Sequence, residues 1–129
     1  MQREYRDSSG KVVTQTTLGG EINVHIKLRS VDGGDLHHVA MVDLLPGGFE
    51  VVMDSLSQMS HSWQPEYVDV REDRVVAFGT VGASVREYTY RIKATNKGRY
   101  TIPPVFAESM YDRSVQARGV GERMTVEGE

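Results

Sequence analysis

"EINVHIKLR", residues 21–29, alternates without a break. Ile22, Val24, Ile26 and Leu28 fall on one side of an extended chain, and Glu21, Asn23, His25, Lys27 and Arg29 on the other. Successive side chains of a strand point to opposite faces, so a period of two marks a strand with one face in a core and one in water. "REYTYRIKAT", residues 86–95, repeats the pattern, with Tyr88, Tyr90, Ile92 and Ala94 against Glu87, Thr89, Arg91 and Lys93. "HVAMVDLL" (38–45) and "RVVAFGTV" (74–81) are more uniformly apolar and read as central strands. No helical period persists over two turns anywhere.

Turn signals separate these runs. Pro46-Gly47-Gly48 stops one strand, and "FEVVM" restarts another. "REDR" (71–74) reads as the turn of a hairpin, and "NKG" (96–98) as a turn in which Gly98 takes positive φ. Further strands are expected at "REYRD", "PEYVDV", "RYTIPPVFAES" and "RMTVE". Residues 54–65, "DSLSQMSHSWQP", form the longest polar connection, a loop or a short helix. Within "TIPPVF" neither proline can donate a ladder hydrogen bond, so that piece is an edge or a crossing segment. Strands recurring about every ten residues between turn signals predict an all-β, antiparallel sandwich.

The totals fit one domain, residues 1–129, large enough for a single core. A net charge of -3 with no basic run argues against nucleic acid, whose binding depends on Lys and Arg neutralising phosphates. With no cysteine, disulfides, thiolate metal sites and a cysteine nucleophile are excluded. No apolar run approaches the roughly 20 residues of a membrane span, and no direct membrane contact is expected. The start "MQREYRDSSGKVV" has no apolar segment of signal-peptide form. Either the chain is cytoplasmic or it is a piece of a longer one.

Few residues suggest chemistry. His37 and His38 are adjacent and should face opposite sides of a strand; no histidine pair has helical zinc spacing, so no metal site is expected. No nucleophile elbow, phosphate loop or nucleophile–base pair is present, so no enzyme and no cofactor are expected. Asp43, in an apolar run before a turn, is positioned to bond turn amides. Trp63, the sole tryptophan, either anchors a partner at an interface or folds back over the end of the core. In "AESMYDRSV" (107–115), Met110 and Tyr111 lie near a strand end, where they either pack at an edge or both point outward. Asp112-Arg113 reads as a turn.

The long central blocks "HVAMVDLLPGGFEV", "SWQPEYVDVREDRVVAFGTV" and "VREYTYRIKATNKGRYTIPPVFAESMYDRSVQARG" are distinctive. They resemble the C-terminal domain of bacterial alpha-2-macroglobulins, from about Tyr5 to Val126. The resemblance implies a macroglobulin-type, immunoglobulin-like sandwich of about seven strands, last in a large protease-trapping protein of the periplasm, a lipoprotein attached to the inner membrane. It implies that proteases are met through the full-length protein, and that a thioester in a neighbouring domain is this domain's partner. Met110 and Tyr111 match the pair that shields that thioester from water and amines until a bait region is cut. Asp112 and Arg113 would support the loop. "DLLPGGFEV" and "YTYRIKATNKG" also look like repeated domains of bacterial surface adhesins, where such a sandwich is a spacer.

Overall fold

The structure is a computed structural model that describes residues 1–30, 35–58, 62–110, 116–119 and 121–128. In chain order its elements are β1 (Gln2–Arg6), β2 (Gln15–Thr17), β3 (Glu21–Leu28), β4 (Leu36–Leu44), β5 (Phe49–Val51) and α1 (Ser55–Gln58). There follow β6 (Tyr67–Val70), β7 (Arg74–Val81), β8 (Arg86–Ala94), β9 (Gly98–Ile102), β10 (Phe106–Ser109), β11 (Gln116–Arg118) and β12 (Glu122–Glu127). The two strictly alternating stretches become β3 and β8. They pair antiparallel with Ile22 opposite Ile92, Val24 opposite Tyr90 and Ile26 opposite Tyr88. All six side chains are buried. A slip of one residue would turn the whole set to water, so burial selects the register.

Two sheets enclose the core. One runs β1-β3-β8-β5 and the other β11-β10-β4-β7-β6, so β4 and β7 are central as their apolar runs predict. The antiparallel sandwich is the expected one, with an addition: a small third sheet, β2-β12-β9, in which β2 and β12 run parallel. Parallel neighbours need a long crossover, and here the rest of the domain supplies it. Twelve strands are described where about seven were expected. Three of them, β2, β5 and β11, are only three residues long. The stretch 99–109 also divides at Pro103-Pro104, sending β9 to the small sheet and β10 to the five-stranded one. The prolines therefore mark a crossing, because neither can donate to a ladder.

The "REDR" turn joins β6 to β7 as a hairpin, with Val70 opposite Val75 and the Arg71 amide donating to the Arg74 carbonyl at 2.9 Å. Residues 54–65 contain α1, a helix of four residues. After β4 the chain passes to the other sheet through Pro46-Gly47-Gly48. There the Tyr100 ring lies so close that a Cβ on Gly48 would sit 2.4 Å from it. The Tyr100 hydroxyl lies 2.9 Å from the Lys97 carbonyl and 3.1 Å from that of Asn96. This tyrosine corner closes the "NKG" turn, where Gly98 has φ of +149°.

Asp43 does not bond turn amides. It is fully buried between the sheets, where one carboxylate oxygen accepts from the Arg3 guanidinium at 2.5 Å and the other from the Tyr90 hydroxyl. Arg3 also donates to the Pro103 carbonyl at 2.7 Å, at the crossing. Burial pushes the Asp43 carboxyl upward in pKa, while the Arg3 charge and the Tyr90 hydrogen bond oppose it. Burial works against the Arg3 charge too, but Asp43, with Tyr5 and Tyr90 beside it, leaves the guanidinium's pKa raised. We take the pair as ionised, since a guanidinium keeps its proton and a lone buried cation is the costlier state.

Removing one partner should therefore cost more than removing both. Asp43→Asn is expected to lower unfolding stability by about 3–5 kcal/mol in urea denaturation. Arg3→Met with Asp43→Leu should cost clearly less than the sum of the two single changes. Additive single and double effects would show that the two groups are not coupled.

Candidate functional site

Met110 follows the last residue of β10. Its amide still donates to the His38 carbonyl at 2.9 Å, so the ladder between β10 and β4 holds the backbone up to this point. The buried residues of β10 are Ala107 and Ser109, whereas Met110 is 55% exposed. The side chain thus stands free of the core on a restrained backbone. Tyr111, Asp112 and Arg113 lie outside the described residues.

The β4 strand is irregular opposite this point. Leu36 faces Val81 and Val39 faces Gly79, so β4 carries one extra residue between those pairs, a β-bulge. His38 takes φ of +57°, in the left-handed region that histidine, asparagine and aspartate enter more readily than most residues. The bulge overturns the expected alternation: His37 and His38 are both exposed, with ring centroids 6.5 Å apart. No pattern in the sequence announces it, because a bulge depends on the partner strand's length and pairing.

Trp63 is 3% exposed, and its indole covers the end of the core instead of offering a face to a partner. The ring sits edge-on to Tyr88 at 6.0 Å, and its N–H donates to the Thr80 carbonyl at 2.8 Å. Gly79 makes room for it: a Cβ there would lie 3.2 Å from the indole. The Thr80 hydroxyl in turn lies 3.1 Å from the His37 ring. A chain of contacts therefore runs from Trp63 through the end of β7 and the bulge of β4 to the Met110 amide. Two residues that were far apart in the sequence reading belong to one end of the sandwich, Trp63 beneath it and Met110 on it.

Among the described residues no three His, Cys, Asp or Glu side chains converge as metal ligands, and no helix is long and apolar enough to cross a membrane. His25 and Glu87 approach to 2.9 Å on an outer sheet face, as a cross-strand hydrogen-bonded pair. What this end of the domain offers is a projecting apolar side chain on a stiff base, which suits contact better than catalysis.

Comparison with known proteins shows what the whole chain is similar to. The family described as the bacterial alpha-2-macroglobulin MG10 domain matches residues 1–113. An alpha-2-macroglobulin homolog of Yersinia pestis is 42% identical over 146 positions, covering 95% of this chain and 7% of that protein. Native alpha-2-macroglobulin from Escherichia coli, in a crystal structure spanning domain MG7 to the C-terminus, aligns with a TM-score of 0.84 at 23% identity. It covers 97% of this chain and 22% of that one. Salmonella alpha-2-macroglobulin reacted with methylamine aligns with a TM-score of 0.80 at 21% identity, covering 98% of this chain and 9% of that one. The chain thus spans about 7% of the length of the Yersinia relative.

Two measurements check this end of the sandwich. His38→Asn should be tolerated, while His38→Val, which places a β-branched residue at positive φ, should cost about 1–2 kcal/mol in urea unfolding. Equal stabilities would mean that the bulge is not held in the left-handed region. Trp63 fluorescence should be blue-shifted and poorly quenched by acrylamide in the native state, and a solvent-like spectrum would put the ring on the surface.

Proposed function

The chain belongs to the bacterial alpha-2-macroglobulin MG10 domain family, and from that premise we propose that it acts as a lid. In this reading it is the last domain of a protease-trapping parent, and Met110 with Tyr111 covers a thioester held in a neighbouring domain until a bait region is cut. The observation that carries the reading is the exposure of Met110 at a strand end whose backbone is still ladder-bonded. Family membership does not favour the adhesin-spacer alternative. Alpha-2-macroglobulins are protease inhibitors and not enzymes, in keeping with a domain that contributes contact alone.

The chemistry explains the need for a lid. Water or an amine attacking a thioester carbonyl forms an acid or an amide and releases the thiol, after which no protease can be captured. Preventing this requires exclusion of small nucleophiles from one carbonyl. A thioether is flexible and polarisable and fills an irregular apolar pocket, and an aromatic ring adds a large rigid area. The strand end supplies position and the side chains supply the plug. Asp112 and Arg113, next along the chain, are assigned to bracing the loop. The site of action is the periplasm, with the parent anchored at the inner membrane.

Methylamine is the direct probe, since a Salmonella relative has been crystallised after reaction with it. In the full-length parent, Met110→Ala and Tyr111→Ala should each speed methylamine inactivation of the thioester, about tenfold for the tyrosine. An unchanged rate in both variants would refute shielding by this pair. Met110 is exposed, so its substitution should leave the domain folded.

A further inference from the structure

The bulge of β4 does more than expose two histidines. Leu36 pairs with Val81 and Val39 with Gly79, so His37 and His38 together stand opposite the single residue Thr80. Thr80 lies in the outward row of β7, between the buried Gly79 and Val81. On the other side of β4, Ala107 and Ser109 of β10 are buried, so Met110, next along, continues the outward row of Phe106 and Glu108. Its amide donates to the His38 carbonyl at 2.9 Å, which places the methionine directly across the ladder from that histidine. Cross-strand neighbours of this kind hold their Cβ atoms about 5 Å apart. Two imidazoles and a thioether therefore gather at one corner of one sheet face, and all three residues are exposed. A regular strand would have sent His37 and His38 to opposite faces, and with them any common ligand.

The corner is also organised from behind. The Thr80 hydroxyl lies 3.1 Å from His37 Nδ1, which orients that ring and leaves its Nε2 for an outside ligand. The Thr80 carbonyl accepts from the Trp63 indole at 2.8 Å, so the residue that holds His37 is itself fixed to the core. The two imidazole centroids are 6.5 Å apart. Two imidazoles sharing one ion, each nitrogen about 2 Å from it, have centroids roughly 5–6.5 Å apart as the angle at the ion opens from tetrahedral to linear. The observed spacing stands at the open end of that range, and the exposed rings are free to turn inward by small χ rotations.

We propose that His37, His38 and Met110 form a binding site for monovalent copper. The donor set selects the ion. Calcium and magnesium take oxygen ligands, which this corner does not offer. Zinc is held by four ligands in structural sites, and among the described residues no third His, Cys, Asp or Glu joins the pair. A thioether is a soft ligand that favours copper(I), and imidazole suits copper as well. Three uncharged donors on a surface strand end also suit a monovalent ion better than a divalent one. The site does not depend on the shielding reading, since it is built from groups of this chain alone.

The test uses the 129-residue chain without oxygen, with copper(I) as the probe and bicinchoninate as the coloured competitor. The chain should withdraw a single copper(I) ion from the dye. His37→Ala and His38→Asn should each weaken binding at least tenfold, asparagine being a residue that still accepts the left-handed backbone at position 38. Met110→Leu should weaken it about tenfold and remove the sulfur signal from the copper X-ray absorption spectrum. His25→Ala and Met53→Leu, a histidine and an exposed methionine away from this corner, should bind as the original chain does. Circular dichroism of each variant checks that the fold is kept. Failure to withdraw copper(I) from the dye would overturn the proposal, as would unchanged binding in folded His37→Ala and His38→Asn. Zinc bound as tightly as copper(I), with Met110→Leu without effect, would also overturn it, leaving only a two-histidine surface contact.

Discussion

A guanidinium and a carboxylate buried between two sheets set the arrangement on which the rest of the domain depends. Asp43 lies on β4 in one sheet, and its two partners, Arg3 and Tyr90, lie on β1 and β8 in the other. Apolar side chains can slide against one another at small cost, whereas a buried charge is satisfied in one geometry and heavily penalised in the rest. The pair therefore aligns the two sheets more than it strengthens them. Through its second donor Arg3 also takes the Pro103 carbonyl, so the same group anchors the place where the chain crosses from the small sheet to β10.

That crossing is what places Met110 at the end of the sandwich. Two prolines end the pairing of β9, and β10 begins afresh beside β4, running for four residues to the bulge. The core beneath that end is filled by Trp63, which Gly79 admits and Thr80 holds. Met110 therefore projects from a base with little freedom to collapse. An exposed methionine on a mobile loop would fold back onto the nearest apolar surface; one that follows a ladder-bonded strand cannot do so readily.

The alternating strands were readable because their pattern and their burial obey the same period. β3 and β8 pair as their sequences demand, and the "REDR" hairpin and the proline crossing follow from local backbone chemistry alone. Asp43 was singled out for sitting in an apolar run, but its partners were not deducible: Arg3 is 40 residues away and Tyr90 is 47. The histidine pair was misread for a related reason. Adjacent residues face opposite sides only while the strand stays regular, and here β4 carries an extra residue against β7. For Trp63 the sequence allowed both an interface and a core position, and only the space left by Gly79 distinguishes them.

By itself the sequence determined the class of fold, the position of most turns and, through resemblance of its long central blocks, the family. These are local or cumulative signals, since periodicity, proline and glycine act within a few residues of themselves. The tertiary structure alone decided which sheet each strand joined and which polar groups met in the core. Those outcomes depend on pairing between segments tens of residues apart, where burial and the satisfaction of charge select one arrangement among several that the local pattern permits.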